Sequence, residues 1–137
     1  MNALIHRYRK DGCAIVYIRH IIQNLPTNRL LFGYSIAGTE GAELYNGLNV
    51  VSEHTFDKLV GDALSNRALR SFLKDRGCDT LYLCGLDACG CVAATALGAV
   101  RRGIRACILR EGVATMFDEA KVTQTAKKLE RAGVRYI

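Results

Sequence analysis

Apolar residues gather in short, nearly unbroken runs along the chain, and four of those runs follow a glycine directly. Gly12 precedes Cys-Ala-Ile-Val-Tyr-Ile, Gly77 precedes Cys-Asp-Thr-Leu-Tyr-Leu-Cys, Gly103 precedes Ile-Arg-Ala-Cys-Ile-Leu, and Gly133 precedes Val-Arg-Tyr-Ile. Before each glycine lies a stretch of helical periodicity, and glycine suits the left-handed position that closes a helix. A strand covered on both faces cannot alternate polar and apolar residues, so unbroken apolar runs between helices predict a parallel sheet with helices on each side. The expected fold class is α/β, a three-layer α/β/α sandwich with a mostly parallel, Rossmann-like sheet.

The pattern predicts a helix over residues 2–11 with Leu4, Ile5 and Tyr8 inward, then a strand over 13–19. Residues 20–46, with Pro26 and three glycines, read as an irregular excursion, and 49–52 as a short strand. Ser65 or Asn66 is placed to cap a helix reaching Arg76, whose apolar stripe is Leu69, Phe72 and Leu73. A strand over 79–84, a helix over 90–102, a strand over 104–109, a helix over 116–132 and a strand over 134–137 complete the series. No linker or low-complexity segment interrupts it, so the expectation is one domain, 1–137.

Composition narrows the function classes. Half of the 137 residues are apolar, enough for a substantial core and too many for a disordered chain. No apolar run reaches membrane-spanning length, and the basic residues near the N-terminus follow the apolar ones, the reverse of a secretion signal. A cytoplasmic protein without a membrane partner is expected. The formal charge of +6 is spread over the faces of several helices and is not interleaved with aromatic residues, which argues against a nucleic-acid partner. Several of the six cysteines fall in apolar runs, where free cysteine behaves as a small hydrophobe, so most are expected to be reduced core residues.

Cys91 differs from the rest. The strand at 79–84 breaks at Gly85 and a helix rich in small residues begins near Cys91. A helix start leaves N–H groups unpaired, and their field favours a thiolate over a thiol. In open α/β sheets ligands bind beyond the carboxyl ends of strands, which is where Cys91 falls. The bland reading is a packed core cysteine, and composition by itself favours it. Cys89 and Cys91 also form a Cys-x-Cys pair, but metal sites need about four ligands, and His6, His20 and His54 are not in paired spacing. Neither a metal site nor another cofactor is expected, and Gly85 to Gly90 lacks the residues of a phosphate loop.

The stretch Leu81-Tyr-Leu-Cys-Gly-Leu-Asp-Ala-Cys-Gly-Cys-Val-Ala-Ala-Thr-Ala-Leu-Gly-Ala-Val-Arg-Arg-Gly resembles the isochorismatase-like cysteine hydrolases. Their pattern is an apolar strand, Gly, an apolar residue, a short turn and Cys-Val-x-x-Thr-Ala. Cys89 stands where an acidic residue is common. Upstream, Phe56-Asp-Lys58-Leu-Val-Gly-Asp-Ala63-Leu64 is similar to the segment that carries the family's catalytic lysine, with Leu64 in place of a phenylalanine. Weaker matches at 15–20, 38–44 and 110–115 extend the likeness over nearly the whole chain.

The resemblance implies a hydrolase of amide, carbamoyl or related C–N bonds in small molecules, with Cys91 as nucleophile and Lys58 beside it. It implies an oxyanion hole made by the backbone N–H groups of Asp87 and Cys91, a cis peptide at Leu86-Asp87, and a homo-oligomer. For Lys58 the bland reading is a solvated surface lysine. The family also carries an aspartate, the base toward the cysteine, on a strand ahead of the helix that matches residues 2–11. The sequence begins after that point, so the expected domain lacks its first strand, an N-terminal truncation. General acid–base help is typically worth about 10²-fold or more, so weak or absent activity is expected of such a chain. Glu43, Glu53 and Asp62 are candidate substitutes for the aspartate, and the alternative to an enzyme is a degenerate, non-catalytic relative that binds a small molecule or partner subunit.

Overall fold

A computed structural model describes residues 1–137. The chain divides into two compact units, one formed by Asn2–Val60 and the other by Gly61–Ile137 together with Met1.

In the first unit, helix α1 (Asn2–Lys10) buries Leu4 and Ile5, and Tyr8 is half-buried. Strand β1 (Tyr17–His20) pairs in parallel with β2 (Thr55–Lys58), Tyr17 opposite Thr55 and His20 opposite Lys58. Two sequence expectations need correction here. Residues 13–16 precede the strand instead of opening it, and 49–52 is not a strand. Asn49 and Val51 lie near Tyr17, whose hydroxyl donates to the Asn49 carbonyl at 2.7 Å and accepts from the Val51 N–H at 2.9 Å. The true strand was hidden by its polar content, because Thr55 and Asp57 point to solvent and only Lys58 is buried. Residues 20–46 also hold more order than expected: Pro26 begins a short helix α2 (Pro26–Leu31), and a 3-10 turn spans Glu40–Ala42. Proline's fixed φ and missing N–H suit the first helical position.

The second unit follows the sequence pattern closely. Helix α3 (Arg67–Asp75) is capped by Asn66, whose side chain accepts from the Leu69 N–H at 3.0 Å, and it buries Leu69 and Leu73. Phe72 is half-buried with the Arg76 guanidinium 4.5 Å from its ring centre. Strands β3 (Thr80–Leu86), β4 (Arg105–Ala114) and β5 (Arg135–Tyr136) form a parallel sheet in that order. Helices α4 (Cys91–Val100) and α5 (Glu119–Arg131) supply the crossovers. All four helix-closing glycines have positive φ, as the pattern required.

Central β4 is the unbroken apolar strand the sequence suggested: Ala106, Cys107, Ile108 and Leu109 are all buried. Strand β3 departs from that expectation. It is paired on one edge only, and its outward residues Tyr82, Cys84 and Leu86 are exposed, so its burial alternates instead of running continuously. A bulge interrupts the β3–β4 ladder: Leu83 faces Ile108, yet Gly85 faces Val113 and Leu86 faces Ala114. Helix α4 packs on β3 and β4 through Val92, Ala93, Ala96 and Ala99, all buried, and the small side chains let its backbone lie near the sheet.

Candidate active site

Strand β3 delivers the chain to a four-residue turn, Asp87 to Gly90, and Cys91 follows as the first residue of α4. The turn closes on itself through the Asp87 carbonyl, which accepts from the N–H groups of Gly90 and Val92, each at 3.1 Å. Leu86-Asp87 is a cis peptide, as the family resemblance implied. Gly90, the residue that precedes the helix, makes no side-chain cap hydrogen bond. Cys91 is reduced and half-buried.

The Asp87 carboxylate ties this turn to the end of β4. It accepts from the Cys89 N–H at 2.7 Å, the Met116 N–H at 3.0 Å, and the Thr115 hydroxyl at 2.8 and 2.9 Å on its two oxygens. Partial burial pushes the Asp87 carboxyl up, but the donors from Met116, Thr115, Cys89 and Gly90 outweigh that and hold it below the usual carboxylate range. The Ala88 N–H adds a backbone bond to the Ala114 carbonyl at 2.9 Å. The family resemblance implies a role only for the backbone of Asp87. A local signal for its side chain existed, because aspartate commonly accepts from the N–H two residues on. Thr115 gave none, since it arrives from a different strand.

Thr95, the threonine of the Cys-Val-x-x-Thr-Ala pattern, has a positioning task inside the same unit. Its hydroxyl accepts from the Ala63 N–H at 3.0 Å and donates to the Gly61 carbonyl at 3.4 Å, fastening that segment to α4. Leu64, which stands at the family's phenylalanine, is fully buried. Asp62 caps the Leu64 N–H at 2.8 Å and pairs with Arg102 at 3.2 Å. Its carboxylate lies against Gly98, where an added Cβ would come within 2.3 Å of an oxygen.

Lys58 lies in the other unit at the end of β2, only 6% exposed, so the solvated-surface reading does not hold. Its ammonium donates to the Val60 carbonyl at 3.1 Å. Burial, followed by the neighbouring Lys58 charge, pushes His20 below the ordinary histidine value, against a smaller opposing effect of the Leu59 backbone. Of the three carboxylates weighed as a base, Glu43 is bound to Arg19 at 2.5 Å and Asp62 to Arg102, while Glu53 is exposed.

All six cysteines are free; Cys107 is buried, Cys84 is exposed, and the other four are half-buried, so the expectation that most are core residues fails. The cause for Cys84 is its place on the open face of β3. No three His, Cys, Asp or Glu side chains converge so as to hold a metal ion, and no helix is long and apolar enough to cross a membrane.

Comparison with known proteins agrees with this architecture. The solved structure of N-carbamoylsarcosine amidase from Thermoplasma acidophilum superposes with a TM-score of 0.83 at 24% identity, covering 98% of this chain and 78% of that one. A nicotinamidase from Bacillus subtilis gives 0.83 at 23% identity, covering 98% and 80%. An isochorismatase family protein from Desulfovibrio vulgaris subsp. vulgaris str. Hildenborough gives 0.85 at 19% identity, covering 98% and 76%. These likenesses establish a shared mixed α/β fold with parallel sheets. No curated protein matches the sequence significantly. The model of the isochorismatase domain matches residues 1–136, and the chain therefore belongs to the isochorismatase family.

Proposed function

We propose that this protein is a cysteine hydrolase that cleaves a C–N bond of a small amide, carbamoyl or related substrate, with Cys91 as its nucleophile. The observation that carries the proposal is the placement of a reduced, half-buried cysteine as the first residue of α4, directly beyond the carboxyl end of β3 and without a side-chain cap. In this reading the sulfur sits at the positive end of the helix. The sulfur attacks the carbonyl carbon, forming a C–S bond and an oxyanion received by the N–H groups of Asp87 and Cys91. Collapse breaks the C–N bond, the amine leaves with a proton taken from solvent, and water hydrolyses the thioester to free the thiol. Lys58 is the second catalytic residue. Its support is the family pattern around it and its burial, which is unusual for a lysine without a task.

The related structures named for amidase and nicotinamidase activity favour this substrate class over others. A cytoplasmic homo-oligomer is part of the same reading; the exposure of Leu30, Leu31 and Tyr34 gives an apolar surface for association. A non-catalytic relative is the second reading, favoured by the engagement of Glu43 and Asp62 with arginines, which withdraws two of the three candidate bases. Iodoacetamide at mildly acidic pH separates the two. Alkylation of Cys91 ahead of the other five cysteines, read peptide by peptide in a mass spectrometer, is expected of the enzyme, and uniform labelling would remove the nucleophile from the proposal.

A further inference from the structure

We propose that the Asp87 side chain is a positioning residue for the oxyanion donors, acting through the hydrogen bonds that clamp the nucleophile turn to Thr115 and Met116; this rests on the hydrolase reading above. One carboxylate oxygen accepts from the Cys89 N–H at 2.7 Å, and the other from the Met116 N–H at 3.0 Å. The Thr115 hydroxyl sits between them at 2.8 and 2.9 Å. The clamp therefore joins segments that lie 28 residues apart in sequence. The residue that carries it also carries one of the two assigned oxyanion donors on its own backbone. Its carbonyl, bound by the N–H groups of Gly90 and Val92, holds the approach to the other at Cys91. Fixing this side chain fixes the directions of both N–H groups before any substrate arrives, and donors aimed in advance are what make an oxyanion site effective.

A carboxylate is required for this arrangement. Each of its oxygens receives a backbone N–H, from two different segments. An asparagine in the same volume offers one oxygen and one NH2 group, so one of the two N–H groups would face a donor and the clamp would open on that side. Asp87→Asn thus tests hydrogen-bond direction with little change in shape.

Two reactions of Cys91 isolate the effect. Iodoacetamide alkylates the thiolate by displacing iodide and builds no oxyanion. p-Nitrophenyl acetate transfers its acetyl group to the sulfur: the C–S bond forms, the carbonyl oxygen bears the transient charge, and the C–O bond breaks with its electron pair leaving on p-nitrophenolate. Both rates are read at the Cys91 peptide across pH. Asp87→Asn is expected to lower the ratio of acylation to alkylation about tenfold, below the 10²–10³ typical for deleting an oxyanion donor because here the donor is loosened and not removed. The pH profile of alkylation stays in place. Thr115→Val, which removes the hydroxyl alone, lowers the ratio about threefold, a fraction of the same effect. An unchanged ratio in either folded variant overturns the proposal, and so does a parallel fall of both reactions, which would put Asp87 on the thiolate or on folding. The wild-type protein tells the two hypotheses apart: if its Cys91 neither alkylates preferentially nor acylates, the hydrolase reading fails before any variant is made.

Discussion

The two residues proposed for catalysis are held in different ways. Cys91 is placed by regular structure: a strand, a turn closed by named hydrogen bonds, and a helix whose small residues bring it down on the sheet. Lys58 ends a strand of four residues, and what distinguishes it is burial of a charged group. Regular structure fixes where the backbone carries its side chain. Burial constrains the charge itself, since an ammonium out of water needs partners to remain charged.

The contrast predicts that the Cys91 side is sensitive to shape and the Lys58 side to charge. The largest stability loss is expected from Gly98→Ala. Its Cβ would fall 2.3 and 2.5 Å from the Asp62 oxygens, and Asp62 is held by the Leu64 N–H and Arg102, so it cannot swing away without losing those bonds. A loss of about 1–3 kcal/mol, typical of overpacking, should appear in urea unfolding. A loss below about 0.5 kcal/mol, the range of an ordinary surface change, would show that α4 shifts freely and that its placement of Cys91 is less rigid than argued.

Lys58→Met should behave oppositely. The change keeps the apolar stem and removes the ammonium that donates to the Val60 carbonyl, so turnover of amide substrates should be lost at a stability cost of about 0.5–1.5 kcal/mol, that of one hydrogen bond. Marked destabilisation would assign Lys58 to the fold. The smallest effect is a titration. The folded-state pKa of His20 lies below its unfolded value, so the neutral form is favoured on folding. The stability this contributes is complete above the unfolded value of about 6.5 and is lost as pH falls through the folded one. Lys58→Met removes the second cause and should move the His20 midpoint, followed by proton NMR, upward toward the ordinary value. An unmoved midpoint would mean that burial alone depresses it.

Much of the second unit was legible because its signals are local. Each apolar run after a glycine became a strand, and Asn66 capped its helix, since closing and capping depend on neighbours in sequence. The cysteine turn was legible for the same reason, through motif and topology together. The misses have the opposite character. Residues 49–52 carry two valines and have the composition of a strand, whereas Thr55–Lys58, polar at alternate positions, forms one because β1 supplies its partner. Pairing is a long-range property. The burial of Lys58 and the clamp between Asp87 and Thr115 escaped for the same reason: composition gives no hint of which distant residue a side chain will meet.

The interruption in the β3–β4 ladder has a consequence for variation. Two steps along β3, from Leu83 to Gly85, are matched by five along β4, from Ile108 to Val113, and this surplus sets the phase that brings Thr115 level with Asp87. Side chains alternate between sheet faces, so losing a single residue from that surplus would turn the hydroxyl away and present its neighbour instead. Insertions and deletions at a point distant in sequence from the cysteine thus act as a selector for what grips the turn ahead of it, leaving the cysteine and its helix untouched.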